Sequence, residues 1–238
     1  MNEKNTIKNS EINLMRSSVS SKNKLINYFF FILRKIGRED RFSNLFPYIE
    51  KEVLYVKKKL NRKLHLLDYG CGKMDFSILL TKKKLVNKAI CVDNYKWDNK
   101  VVYKNCKYIN ISKNKTLLQK KKFDIAIIID VLHHLGINQC HKELKKICSI
   151  SKYVIIKDHF EYSYISRQIL RLGDWFGNFG TDINIPKKYF TEFKWQEMIK
   201  KLQLNQIKII KKVNQHKGLF SLILPSKHQF ITIIKNKL

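Results

Sequence analysis

Leu66-Leu67-Asp68-Tyr69-Gly70-Cys71-Gly72-Lys73-Met74-Asp75-Phe76-Ser77 is the stretch that decides the fold. An apolar run, Leu64 to Tyr69, stops at Gly-Cys-Gly, and a helical pattern from Phe76 to Lys83 follows. Gly70 and Gly72 permit a tight turn that brings backbone N–H groups close to a ligand at the start of a helix. Strand, glycine turn and helix in that order are a stronger signal than a lone GxG. A pyrophosphate-binding turn of the form GxGxxG would carry its third glycine at position 75, where this chain has Asp75. Asp68 adds a second carboxylate beside the turn. Two negative charges disfavour an anionic ligand and suit a cationic one.

The same alternation continues downstream. Lys88 to Val92 is a second short apolar run, ending at Asp93, 25 residues after Asp68. A third, weaker strand falls at Val101 to Tyr103 or at Lys107 to Ile111. Phe123 to Ile129 is a fourth, ending at Asp130; a helix over 138–149 follows, and Tyr153 to Ile156 is a fifth, ending at Lys157-Asp158-His159. Apolar strands separated by helices predict a parallel sheet covered on both faces. Ligands in such sheets bind at the carboxyl ends of the strands, where Asp68, Asp93, Asp130 and Asp158 stand. Gln206 to Val213 and Gln229 to Ile234 predict an antiparallel pair at one edge.

These residues together resemble a class I S-adenosylmethionine-dependent methyltransferase over about residues 60–160 and the terminal strand pair. Leu-Leu-Asp-Tyr-Gly-Cys-Gly is similar to that family's first motif, Cys-Val-Asp93 to its ribose-binding acid, and 123–135 to its strand-four signature. The resemblance implies a Rossmann-like α/β fold: a seven-stranded, mostly parallel sheet with helices on both faces and an antiparallel last strand pair. It also implies S-adenosyl-L-methionine as cofactor, held by Asp68, Gly70, Cys71, Gly72, Asp93, Asn94, Asn110 and Asp130. One departure stands out: Met74 occupies a position where the family usually has a third glycine.

Methyl transfer needs an acceptor held close and in line, often with a base to take its proton. Asp130, His133, His134, Asp158, His159 and Glu161 stand at the ends of strands four and five. His159, His134 and Asp158 are the catalytic candidates, since imidazole titrates near neutral pH. Residues 160–192 break the alternation and read as an inserted lid, bending at Gly173, Gly177 and Gly180. Its Asp174, Trp175 and Asn178, with Asp182 and Asn184 nearby, are the substrate-binding candidates, because polar groups on an aromatic frame suit a polar small molecule or a glycan. Arg167 and Arg171 are placed either to bind an acidic substrate or to pair with Glu161 or Asp174. The Asn/Asp-Pro-Pro-aromatic motif of amino-methylating nucleic-acid enzymes is absent at Asp130-Val131-Leu132-His133.

Of 238 residues, 48 are Lys or Arg and 19 are Asp or Glu, a net charge of +29. Only 7 are Arg, against 41 Lys, with 20 Asn and two Ala, Ala89 and Ala126. A phosphate-reading surface favours Arg, so the charge reads mainly as a solvated lysine coat, and a nucleic-acid partner is not favoured. An RNA methyltransferase using the Lys-rich face, and a catalytically dead binding protein, are the alternative readings. Five cysteines, an odd number with no CxxC pair, predict reduced thiols in the cytoplasm. His133, His134, Cys140 and His141 lack ligand spacing, so no metal site is expected. The apolar run Leu25 to Leu33 falls short of the ~20 residues that span a bilayer. With Lys22, Lys24, Arg34 and Lys35 around it, it reads as a helix capping the domain, with peripheral contact to an anionic membrane as the alternative. The organisation expected is a mobile polar tail (1–21), a helical cap with helices at 22–36 and 45–60, an S-adenosylmethionine-binding core (61–159), the lid (160–192), and a closing helix and strand pair (193–238).

Overall fold

The computed structural model describes residues 24–94, 103–112, 118, 121–178 and 183–236. The tail expected over 1–21, a strand beginning at Val101, and the lid residues Gly180 and Asp182 lie outside these. The described chain runs α1 (Lys24–Leu60), β1 (Leu64–Tyr69), α2 (Asp75–Lys82), β2 (Val86–Asp93), β3 (Cys106–Asn110), β4 (Phe123–Ile129), a 3-10 turn (Leu132–His134), α3 (Ile137–Ile150) and β5 (Ser151–His159). It continues through α4 (Tyr164–Gly177), α5 (Glu192–Lys201), β6 (Asn205–Lys211), α6 (Gly218–Ile223), a second 3-10 turn (Ser226–His228) and β7 (Gln229–Lys235).

Strand order is β3-β2-β1-β4-β5-β7-β6. The first five pair in parallel, and β7 runs antiparallel to both β5 and β6. This is the sheet expected from the apolar runs and the terminal pair. Side chains alternate between its faces. Ile125 and Ile127 of β4 join Leu66, Cys91 and Ile155 beneath α1 and α2; Ala126 and Ile128 join Leu67, Val92 and Ile156 beneath α3 and α5. Both faces are therefore dry, which is why β4 has no room for a polar alternation. Asp124, its one acid, bonds Arg62 and the His65 backbone at the opposite end of the sheet from the glycine turn.

Two differences from the sequence expectation concern helices. The break at Gly37 does not occur: α1 is continuous for 37 residues and carries Pro47 inside it. Gly37 instead receives the Phe220 ring, 3.3 Å from where a Cβ would stand. Burial of Leu45, Phe46, Ile49, Val53 and Val56 against the sheet outweighs the ~1 kcal/mol that a helical glycine costs. Nearer the N-terminus Tyr28, Phe29, Ile32 and Ile36 are exposed. Among the described residues no helix is long and apolar enough to cross a membrane. The second difference is the lid, which is largely helical. Its helix α4 starts at a reciprocal Ser163–Ser166 capping box. Gly173 is not a bending point; it lies inside α4, where a Cβ would stand 2.4 Å from Leu224. The segment leaves and returns at one place, since Phe160 bridges Phe190 and the Glu161 N–H donates to the Phe190 carbonyl.

The β1–α2 turn is shaped by its neighbour on β4. Gly70 has φ +75°, and a Cβ there would fall 2.2 Å from Val131 Cγ2. Gly72 has φ +48° but open space around it. Met74 is also left-handed, at φ 61°. Its side chain is buried in the cluster under α1, so it points into the core and does not narrow the turn.

Gly70→Ala should destabilise the chain by about 2–4 kcal/mol in urea unfolding, from the clash and from the left-handed backbone together. Adding Val131→Ala should recover the steric part only. Lys208 reaches the fully buried Glu52, Nζ to Oε1 2.6 Å, and ties β6 to α1. Lys208→Ala should therefore cost about 1–3 kcal/mol, less than a fully buried pair because the lysine is partly exposed. The double change Glu52→Gln with Lys208→Met should cost less than that single one.

Candidate functional site

Four of the turn's backbone donors are engaged within the protein. Gly70 N–H and Cys71 N–H both donate to the Val92 carbonyl, at 2.8 and 3.1 Å, and Met74 N–H donates to the Cys71 carbonyl at 2.8 Å. Gly72 N–H donates to Asp93 Oδ2 at 2.8 Å. The N–H groups of Gly70, Cys71 and Gly72 thus fasten β1 to β2, and that of Met74 closes the turn itself. A nest of free donors for a pyrophosphate is not what this turn presents.

The charge of the turn also differs from the sequence reading. Asp68 is buried and accepts from Ser77 Oγ at 2.7 Å, anchoring α2. Burial pushes its carboxyl up to about 7, against the Ser77 bond, so it holds less than a full charge at neutral pH. Asp75 pairs with Arg38 of α1 at 2.5 Å. Asp93 remains, partly exposed at the end of β2. Beside it Asn94 accepts from Asn110 Nδ2 through its carbonyl at 3.1 Å, and from Ser112 Oγ through Oδ1 at 2.8 Å. Asp68, Gly70, Cys71, Gly72, Asp93, Asn94 and Asn110 are therefore brought together at the carboxyl ends of β1, β2 and β3.

Asp130 follows β4 directly, in a left-handed backbone of φ 54°, and touches the catalytic candidate His159. Arg41 from α1 bonds its Oδ2, Lys157 Nζ lies 2.5 Å from its Oδ1, and His159 Nε2 lies 3.2 Å from the same oxygen. Burial opposes ionisation of this carboxyl, but Lys157, Arg41 and His159 outweigh it and hold it well below the usual range. Burial in turn lowers Lys157 to about 8. Burial and the Lys157 charge push His159 down to about 4. Its Nδ1 lies 2.6 Å from Gln229 Oε1, so both ring nitrogens are engaged within the network.

His133 and His134 diverge, as adjacent residues must. His133 is buried, its Nδ1 2.7 Å from Asp158 Oδ1 and its Nε2 3.5 Å from Asp174 Oδ2. Burial lowers its basicity, but Asp158 outweighs that and raises it; the same contact, against burial, depresses Asp158. His134 is half-buried, anchored by Nδ1 on the Asn184 carbonyl at 3.1 Å, and burial with the neighbouring His133 lowers it. Tyr189 donates its hydroxyl to Asp174, and burial raises its own pKa. Trp175 and Asn178 follow on α4, with Trp175 partly exposed and Asn178 capping the helix end.

Other candidates separate from this cluster. Glu161 is taken up by Arg167, at 2.7 and 2.8 Å, and by the Tyr189 N–H at 3.0 Å, which pins the lid's base. Arg171 lies 3.3 Å from Gln168 Oε1. Cys140 is buried beside Met198. Sequence reasoning missed Arg41, Lys157, Tyr189 and Gln229. Lys157 carried a signal, a lysine inside an apolar strand; the other three come from distant elements and carried none.

Two side chains of α1 one helical turn apart, Arg38 and Arg41, reach Asp75 and Asp130, so α1 covers both halves of the site. With Gly70 packed on Val131, the turn and the histidine cluster abut. A family model described as a methyltransferase domain matches residues 39–209. No curated protein sequence matches. Among solved structures, a SAM dependent methyltransferase from Archaeoglobus fulgidus aligns at 16% identity over 87% of this chain and 100% of that one, with a TM-score of 0.56. The magnesium protoporphyrin IX methyltransferase ChlM from Synechocystis PCC 6803, solved with bound SAH, aligns at 12% identity over 98% and 96%, with a TM-score of 0.55. The N-methyltransferase NodS from Bradyrhizobium japonicum WM9, in complex with S-adenosyl-L-homocysteine, aligns at 12% over 82% and 89%, with a TM-score of 0.52. At such identities these likenesses establish the fold, while the family model spans well over half of the chain: it belongs to the methyltransferase domain family.

Proposed function

We propose that this protein transfers a methyl group from S-adenosylmethionine to a hydroxyl or amine of a polar small molecule or glycan. The observation that carries the reading is the junction at Gly70 and Val131, which sets an acid-lined cradle against a polar histidine cluster. Three features of the cradle fit the cofactor. The N–H groups of Gly70, Cys71 and Gly72 are engaged within the protein, the carboxylates Asp68, Asp75 and Asp93 gather around the turn, and Asp93 stands partly exposed at the end of β2. A cation beside Asp68 would complete that carboxyl's ionisation. Asp68, Gly70, Cys71, Gly72 and Asp93 would hold the cofactor from one side, with Asn94 and Asn110 at β3 and Asp130 across Val131. When bound, S-adenosylmethionine supplies an electrophilic methyl group on a sulfonium.

The chain's own residues then have three tasks. The network of Asp130, Lys157, Arg41 and His159 fixes the end of β4, so the acceptor meets a rigid floor. His134 and Asp174, both partly accessible, offer the polar contacts that orient an acceptor. The lid helix, with Trp175, covers it and excludes water. His134 is the better placed of the two catalytic histidines to receive a proton, because His159 is closed on both nitrogens and Asp158 is committed to His133. The cysteines, four of them buried and all free, fit a reducing compartment such as the cytoplasm.

Calorimetry with S-adenosylmethionine tests the cradle. Binding is expected, and Asp93→Ala should weaken it by about 1–3 kcal/mol, roughly 5- to 150-fold. No binding by the intact chain, or equal affinity for NAD, overturns the reading. The acceptor half is tested by a labelled-methyl assay on fractionated small molecules and glycans. Trp175→Ala or Asn178→Ala should cut turnover at least about tenfold while leaving cofactor affinity unchanged. Full methyl transfer by both variants would place the acceptor elsewhere.

A further inference from the structure

Two groups of nitrogen and oxygen donors at the carboxyl ends of β4 and β5 are close enough to share one ion. They are Asp130 with His133 and His159, and His133 with His134 and Asp174. In each group one donor atom per residue lies within 4.8 Å of the other two. The first group is already neutralised, because Asp130 carries Lys157 and Arg41 on its two oxygens. A divalent cation there would sit against two fixed positive charges. The second group has no such competitor. Its carboxylate, Asp174, accepts from the neutral Tyr189 hydroxyl.

The histidines of the second group are oriented as ligands. A carboxylate oxygen accepts, so His133 Nδ1–H donates to Asp158 at 2.7 Å and the lone pair of a neutral ring falls on Nε2. That Nε2 is fully buried, has no hydrogen-bond partner, and lies 3.5 Å from Asp174 Oδ2. Donors at about 2.0–2.1 Å from a tetrahedral ion stand about 3.4 Å apart, so this separation is that of one edge of such a site. A backbone carbonyl also only accepts, so His134 Nδ1–H donates to Asn184 at 3.1 Å and leaves its own Nε2 as the lone-pair nitrogen. An oxygen behind Nδ1 is how metal-binding imidazoles are held in place. Tyr189 donates its hydroxyl to Asp174 Oδ2, the oxygen nearest His133, and so fixes that oxygen while leaving it further lone pairs for an ion.

We propose that His133, His134 and Asp174 bind one divalent transition-metal ion of the zinc class, in a three-ligand site whose remaining position takes an oxygen of the acceptor. Two imidazoles and a carboxylate suit Zn²⁺ and its first-row neighbours over Mg²⁺, which prefers oxygen ligands. Three protein ligands leave a position open, as catalytic sites do and structural sites do not. The metal site stands on its own geometry; its purpose rests on the methyltransferase reading. For that reading it selects a hydroxyl acceptor, since an oxygen bound to such an ion gives up its proton to solvent closer to neutral pH; with the ion bound, His134 is a ligand and the ion replaces it as the group that promotes deprotonation. The sequence hid the site because adjacent histidines show no ligand spacing and the third ligand comes from α4.

Titration of the metal-stripped full chain with Zn²⁺, followed in the same samples by S-adenosylmethionine, tests the proposal. One Zn²⁺ per chain is expected, bound more tightly than Mg²⁺. His134→Ala and Asp174→Asn, both at partly exposed positions and checked for folding by circular dichroism, should each weaken Zn²⁺ by at least about 100-fold. Asp158→Asn, which alters the group behind His133 without removing a ligand, should weaken it by about 10- to 100-fold. No Zn²⁺ binding, a preference for Mg²⁺, or Zn²⁺ binding that survives both His134→Ala and Asp174→Asn overturns the site; the last outcome is the one expected if cysteine thiols held the ion. The two readings fail separately. Cofactor binding without zinc overturns only the metal site, and zinc binding without the cofactor overturns only the methyltransferase reading.

Discussion

Asp130 has to be charged. It sits where β4 leaves the sheet, in a left-handed backbone, with a fully buried lysine on one oxygen and an arginine from α1 on the other. Remove its charge and Lys157 is left buried without a counter-ion, a loss of the several-kcal/mol kind. Three elements meet on this one carboxylate: β4 itself, β5 through Lys157 and His159, and α1 through Arg41. The position of the helix over the site follows from it, and so does the position of His133 and His134, which begin the turn immediately after. Val131, between them, is pressed onto Gly70. The glycine turn on one strand and the histidine turn on another are thereby held in a fixed relation by contacts that involve no ligand.

The acids at the strand ends turn out to do unlike things. Asp68 is buried and tied to Ser77, a brace for α2. Asp93 holds Gly72 and faces outward. Asp130 is the ionic hub, and Asp158 orients His133. Burial alone would push Asp68, Asp130 and Asp158 toward the neutral form; what separates these three is the neighbour each one finds. Cationic neighbours keep Asp130 and Asp158 ionised, while Asp68, with only a hydroxyl, drifts up to about 7.

What was legible in the sequence was whatever local pattern determines. The strands β1, β4 and β5 are apolar runs because both sheet faces are covered, and a run of that kind between polar turns has few other readings. The Gly-Cys-Gly turn, Asp93 and the histidines after β4 were found for the same reason. The length of α1 was not legible, because Gly37 and Pro47 are local breakers and the packing that overrides them comes from the sheet and from Phe220. The roles of His159 and Asp158 were not legible either. Position placed them at the site, but their partners, Gln229 and His133, come from elsewhere in the chain. Gly173 was misread as a hinge because a glycine that admits a neighbouring leucine and one that bends look alike in sequence. The resemblance to methyltransferases covered about residues 60–160 and the terminal strand pair and supplied the cofactor; it offered nothing on 160–192, where Asp174 and Tyr189 complete the polar cluster.

Helix α1 has one further consequence. Arg38 and Arg41 are on consecutive steps of one rigid rod, and one holds the cradle side while the other holds the histidine side. The two chambers therefore share a door. Lifting that turn of the rod would break both ion pairs at once, so the glycine turn and the histidine cluster would be uncovered together. Lifting both arginines together would require the rod to flex between them and the anchored half beyond. Pro47, where the backbone already lacks a hydrogen bond, is the cheapest place for that to happen.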